Sequence, residues 1–107
     1  MFFNNKKMKE FKENDAKLRK LEEREVRYVT TRDPITNVES IIGKYGYIKI
    51  LDNIFSIICD GKVIFTHSID GLQGSELMSL DGIILSYESE KTGEIIEVIA
   101  YYKYHRK

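Results

Sequence analysis

Hydrophobic and polar positions along this chain change period near residue 25, and the change predicts a helix followed by a sheet. From Lys6 to Glu25 there is no glycine or proline, and most residues are good helix formers such as Lys, Glu, Leu, Arg and Ala. Met8, Phe11, Leu18 and Leu21 lie close to one helical face, and Tyr28 continues the spacing if the helix runs that far. Asn14-Asp15 interrupts this stripe, which makes Asn14 a candidate N-cap for a shorter helix. Glu13 to Lys17, Asp15 to Arg19 and Glu23 to Arg27 are acid-before-base pairs at i,i+4, each worth about 0.3 kcal/mol. So thin an apolar stripe suits either a helix lying on a domain surface or a short self-associating coiled coil.

After Glu25 the pattern alternates. Arg27–Thr31 is rich in β-branched and aromatic residues and ends at Arg32-Asp33-Pro34, a turn signal. Val38–Ile42 reads as a second strand, stopped by Gly43-Lys44-Tyr45-Gly46. Tyr47–Leu51, Ile54–Cys59 and Lys62–Ser68 follow, joined by Asp52-Asn53 and Asp60-Gly61 as two-residue hairpin turns. Closing those turns sets Ile50 opposite Phe55, Ile48 opposite Ile57, Ile57 opposite Ile64, Phe55 opposite Thr66 and Cys59 opposite Lys62. Ile48, Ile50, Phe55, Ile57 and Ile64 then share a core face, because register fixes which side chains point together. The opposite face, with Tyr47, Leu51, Ile54, Ile58, Phe65 and His67 beside Lys49 and Ser56, is too apolar to be fully wet, so part of it is expected to be covered.

Residues 69–82 lose the alternation; one helical turn capped by Ser75 and a loop pinned by Leu72, Leu77 and Leu80 fit equally well. Ile83–Glu90 and Glu94–Tyr104 form a last hairpin around Lys91-Thr92-Gly93, with Gly93 suited to a left-handed position. Its second strand is apolar on both faces, so it belongs inside a sheet or closes a barrel and is not a lone edge. The expected fold is mainly β with one helix (α+β): an N-terminal helix over residues 1–25, then residues 26–107 as a six- or seven-stranded antiparallel meander forming a strongly curved sheet or small barrel.

Composition narrows the setting. A chain of 107 residues with 42% hydrophobic and 32% charged residues is a single globular domain with a modest core. The lone cysteine, Cys59, cannot form an internal disulfide, no stretch is long and apolar enough to span a bilayer, and no secretory h-region follows Met1, so a soluble cytoplasmic protein is expected. Net charge is zero, but residues 1–27 hold nine Lys/Arg against six Asp/Glu, residues 28–100 five against eleven, and residues 101–107 three against none. Basic ends flank an acidic middle.

Candidate chemistry is sparse. His67, His105 and Cys59 are too few for a metal centre, and the pairing above sets His67 and Cys59 on opposite faces. Cys59 reads as an inert, half-buried thiol, with Lys62 the one nearby cation able to lower its pKa. Asp70, Glu76, Asp81, Glu88 and Glu97 are scattered, Glu97 marking a wet face of an otherwise apolar strand. Gly71-Leu72-Gln73-Gly74-Ser75 matches no phosphate-loop pattern. No catalytic residue, cofactor or metal is expected.

The sequence therefore favours a non-enzymatic interaction module that self-associates or docks on a protein through the helix, the apolar second face of the sheet or both, with Phe11, Leu18, Leu21 and Tyr28 as candidate interface residues. An RNA or single-stranded DNA binder is the alternative, using Tyr102, Lys103, Tyr104, Arg106 and Lys107 with Lys6, Lys7, Lys9 and Lys12, since interleaved rings and cations stack bases and neutralise phosphates. A small enzyme with a pocket near residues 69–82 is third. No membrane partner is expected.

Overall fold

The computed structural model describes residues 13–103. A short helix, α1 (13–19), precedes seven strands: β1 (Glu25–Arg32), β2 (Glu39–Leu51), β3 (Ile54–Cys59), β4 (Lys62–Ser68), β5 (Gln73–Glu76), β6 (Gly82–Glu88) and β7 (Ile95–Tyr102). All seven belong to one antiparallel sheet in the order β4-β3-β2-β1-β7-β6-β5. As its two apolar faces predict, β7 lies inside the sheet, between β1 and β6.

That order dictates curvature. The edge strands β4 and β5 are consecutive in sequence, joined only by residues 69–72. Seven flat strands about 4.8 Å apart would separate the edges by about 29 Å. The connector, at about 3.5 Å per residue, reaches about 18 Å. The sheet must therefore curl until its edges approach, and no hydrogen-bonded ladder joins β4 to β5. Each edge strand is three antiparallel steps from β1, so β4 and β5 run in the same sense. The connector is thus a kink in one path, not a reversal.

Side chains bridge the seam where strands do not. Phe65 and His67 of β4 meet Tyr87 of β6 at ring-centroid distances of 5.9 and 4.7 Å. On the other side of the kink, α1 occupies the opening. Asn14 Nδ2 donates to the Leu72 carbonyl at 2.8 Å and its Oδ1 accepts the Gly74 N–H at 3.0 Å. These are the two backbone groups a neighbouring strand would bond, so the Asn14 amide caps the β5 edge as a stand-in peptide. Lys17 Nζ adds a bond to the Gly74 carbonyl at 3.3 Å. Arg19 reaches the β2–β3 turn, donating to the Asp52 carbonyl and Asn53 Oδ1, both at 3.0 Å. Asn53 in turn holds the connector, its carbonyl accepting the Ile69 N–H at 2.8 Å and its amide donating to Asp70 at 2.9 Å.

The helix thus ends sooner than its composition predicts and does a different job. It gives way after residue 19 to a turn in which Glu23 takes a positive φ of 68°, and β1 begins at Glu25. Asn14 is no N-cap. Of the three i,i+4 pairs only Asp15–Arg19 forms, at 3.0 Å; Lys17 goes to β5, and Arg27 pairs with Asp81 at 3.1 Å. Leu18 and Leu21 are buried in the core with Val26, Leu72 and Ile83, so the helical stripe packs on the sheet. Gly74 makes this possible, since a Cβ there would come within 2.8 Å of Leu18.

Three strand readings change. Residues 38–42 and 47–51 form one continuous β2, because Gly43 and Gly46 open room for Cys59 and Ile64; a side chain at Gly46 would overlap the Ile58 carbonyl. Residues 73–76, read as loop or helical turn, are a strand, and of the three expected pins Leu72 is buried, Leu77 half-buried and Leu80 exposed. In the β3–β4 hairpin, Asp60 and Gly61 adopt positive φ values of 52° and 74° and set Cys59 opposite Lys62 as expected. A bulge then shifts the register, placing Ile57 opposite Phe65 and Phe55 opposite His67. Phe65, not Ile64, joins Ile48, Ile50, Phe55 and Ile57 in the core.

The helix contacts differ sharply in expected weight. Leu18→Ala should cost about 3 kcal/mol through lost burial and cavity. Asn14→Ala should cost about 2 kcal/mol by leaving Gly74 N–H and the Leu72 carbonyl unpaired. Exposed Arg19→Ala should cost no more than about 1 kcal/mol. Urea unfolding midpoints rank the three, and an Arg19 loss equal to that of Leu18 would show that the helix is held mainly by its charges.

Candidate interaction surface

Alternation along the strands leaves an outer face in two unlike halves. Over β6, β7, β1 and the start of β2, Ile99 points outward between the core residues Val98 and Ala100, yet it is fully buried, as is its neighbour Thr30 at 4% exposure. Residues on either side cover them. Tyr28 and Tyr101 stack at 4.5 Å, and Arg32 pairs with Glu97 at 3.4 Å. Glu39 accepts hydrogen bonds from Thr30 Oγ1 at 2.7 Å and the Tyr101 hydroxyl at 2.9 Å. The hydroxyl of Thr30, with help from Tyr101 and Arg32, holds the Glu39 carboxyl below its ordinary 4.5. Burial and the bond to Glu39 push the Tyr101 hydroxyl up.

The second half, over the end of β2, β3 and β4, has no such cover. Tyr47, Ile58 and Val63 lie in one cross-strand row, and Leu51, Ile54 and Ser68 in another. Between them run Lys49, Ser56 and Thr66, the two hydroxyls 3.1 Å apart. Val63 and Leu51 are 59% and 63% exposed, Ile54 and Tyr47 are also exposed, and Ile58 is half-buried. The expected covering is absent among the described residues, because α1 packs on the core side. Two apolar rows left in water, parted by a single polar row, mark a candidate contact surface. β4 borders this patch, and its backbone groups facing away from β3 have no strand to pair with among the described residues.

The residues singled out from sequence are dispersed. Leu18 and Leu21 are consumed in the core, Tyr28 is half-buried under Tyr101, and Phe11 lies outside the described residues. Tyr102 is buried beneath the Arg24 guanidinium, 4.1 Å from the ring centroid, while Lys103 faces Glu25 at 3.6 Å. Lys6, Lys7, Lys9, Lys12, Tyr104, His105, Arg106 and Lys107 also lie outside the described residues. The bulge corrects one further expectation. His67 comes to the same face as Cys59, although no group of three potential ligands gathers among the described residues. Cys59 is 3% exposed, and burial pushes its thiol up despite Lys62 across the hairpin. Among the described residues no helix is long and apolar enough to cross a membrane. No family model, curated protein or solved structure matches the chain.

Two measurements follow from these groups. Because Glu39 is lowered in the fold, its contribution is complete above pH 4.5 and is lost as pH falls through its folded value. The stability gap between wild type and Glu39→Gln should therefore be open at pH 7 and closed at pH 2; a gap independent of pH would remove the charge from the account. Cys59 should react with a thiol reagent only at the rate of opening, accelerating with denaturant, whereas immediate labelling in buffer would contradict its burial.

Proposed function

We propose that this chain is a non-enzymatic interaction module whose outer β2–β3–β4 surface receives a second copy of itself. The bare patch of Tyr47, Leu51, Ile54, Ile58 and Val63 beside an unpaired edge strand is the observation that carries this reading. Asymmetry of the two edges supports it. The β5 edge is stopped by Asn14, whereas no described residue caps the β4 edge, so strand addition at β4 alone yields a closed pair and no fibre. Charge is compatible as well. β4 begins at Lys62 and leads into Asp70, so antiparallel β4 strands of two copies set the cation of each toward the carboxylate of the other.

The nucleic-acid alternative draws less support. Tyr102 is withdrawn into the core, and Arg27, Arg32 and Lys103 each face a carboxylate.

Sedimentation velocity over a concentration series is the test. A mass rising from one copy to two is expected, with the association weakened at least about tenfold by Val63→Glu or Leu51→Glu, since each buries a charge at the contact. Both positions are exposed, so the fold should tolerate them. A single-copy mass throughout the series would sink the self-association reading.

A further inference from the structure

A groove of about 550 Å³ runs between α1 with the turn that follows it and the segment joining β5 to β6. One wall, α1 and the turn after it, carries Lys17, Lys20 and Arg24 with Glu13; the other carries Glu76 and Leu80. Lys17 is already engaged at the Gly74 carbonyl. Lys20 and Arg24 make no ion pair with any described residue, and they stand four positions apart on adjoining turns. Leu21 and Leu80 supply apolar surface beside them.

Tyr102 also lines this groove, and it is the unusual member. The residue is 6% exposed, yet its hydroxyl has no hydrogen-bond partner. An unpaired buried hydroxyl is costly, and phenylalanine would fill the same space without that penalty. The Arg24 guanidinium carbon lies over the ring, 4.1 Å from its centroid, and Arg24 and Glu76 are the charges that act on the hydroxyl. A guanidinium held only by a ring face keeps its N–H donors for another acceptor.

We propose that this groove binds the phosphoryl group of a small phosphate ester, with Lys20 and Arg24 as cationic contacts and the Tyr102 hydroxyl as a neutral donor. Phosphate is favoured over a single carboxylate by the donor set. Three cations face two carboxylates, Glu13 and Glu76, so net charge does not decide between the two kinds of anion; Lys20, Arg24 and the Tyr102 hydroxyl offer donors from three directions, which three phosphoryl oxygens can use and the two of a carboxylate cannot. Swinging toward such an anion, Arg24 would also uncover the Tyr102 edge. The apolar strip of Leu21 and Leu80 receives the ester's organic part.

The test uses the full chain, titrated with inorganic phosphate, pyrophosphate and phenyl phosphate at constant ionic strength, with acetate as the control anion, followed by heteronuclear NMR. Saturable shifts confined to the amides around Lys20, Arg24, Glu76 and Tyr102 are expected, with acetate producing none. Lys20→Ala and Arg24→Ala should each weaken binding at least about tenfold, as expected for loss of a charge-assisted contact. Tyr102→Phe should weaken it about fivefold while retaining the native spectrum. Tighter binding of phenyl phosphate than of inorganic phosphate supports an ester with an apolar body, and equal binding overturns that part. Absence of saturation into the millimolar range, or affinity unchanged in Arg24→Ala, overturns the site. Unchanged affinity in Tyr102→Phe removes the hydroxyl from it.

Discussion

The contact of Leu18 with Gly74, flanked by the Asn14 amide on the β5 edge, is the constraint on which the rest of the structure depends. A four-residue connector forces the two edges of a seven-stranded sheet toward each other, but forcing them together does not satisfy them. β5 has only four residues and pairs with β6 alone, too little to persist unaided. Filling the opening with a buried leucine and a peptide-like side chain gives that strand a second neighbour. Arg19 and Asn53 extend the same support to the β2–β3 turn and to the connector, so one short helix spans the gap its own sheet creates.

How much of this could be read from the chain depends on whether the deciding interaction was local. The hairpins at Asp52-Asn53 and Asp60-Gly61 were legible because two residues fix each turn and the turn fixes the first cross-strand pairs. Beyond the bulge that logic fails. Val63-Ile64-Phe65 is a run of three apolar residues, so both registers bury something hydrophobic and alternation cannot choose between them. Burying the larger Phe65 wins, and His67 turns inward with it. β5 was invisible for the opposite reason: Gln-Gly-Ser-Glu has almost no strand propensity, and its conformation is imposed by β6 on one side and Asn14 on the other. Gly43 and Gly46 likewise read as a stop, although they let β2 pass close over Cys59.

The candidate surfaces show the same limit. An amphipathic stripe reveals that a helix has something to bury and not where it is buried; Leu18 and Leu21 were therefore equally good candidates for a partner and for the core. Tyr101 and Tyr102 look alike in sequence, yet one stacks on Tyr28 over the outer face and the other lies inside under Arg24. Tyr47, Leu51, Ile54 and Ile58 on the outer face of β2 and β3 were legible, since strand alternation placed them there, whereas Phe65 and His67, expected beside them, are turned inward by the bulge. The patch's lack of cover was not legible. That follows from the helix having chosen the core side, which is a tertiary outcome.

Leu18 is buried in the core, Lys20 and Arg24 edge the groove and Leu21 borders both, so α1 and the turn after it carry two different tasks. Any anion that binds Lys20 and Arg24 binds the folded arrangement alone, because only there do they approach Tyr102 and Glu76. Such binding adds to folding stability by mass action, and it adds it at the segment that spans the sheet's opening. The outer β2–β4 face lies on the opposite side of the sheet and shares no residue with the groove. Coupling between them would have to pass through the curl of the sheet itself. Arg19 offers the one short route, since it ties the helix to the Asp52-Asn53 turn whose flanking residues, Leu51 and Ile54, belong to the exposed patch.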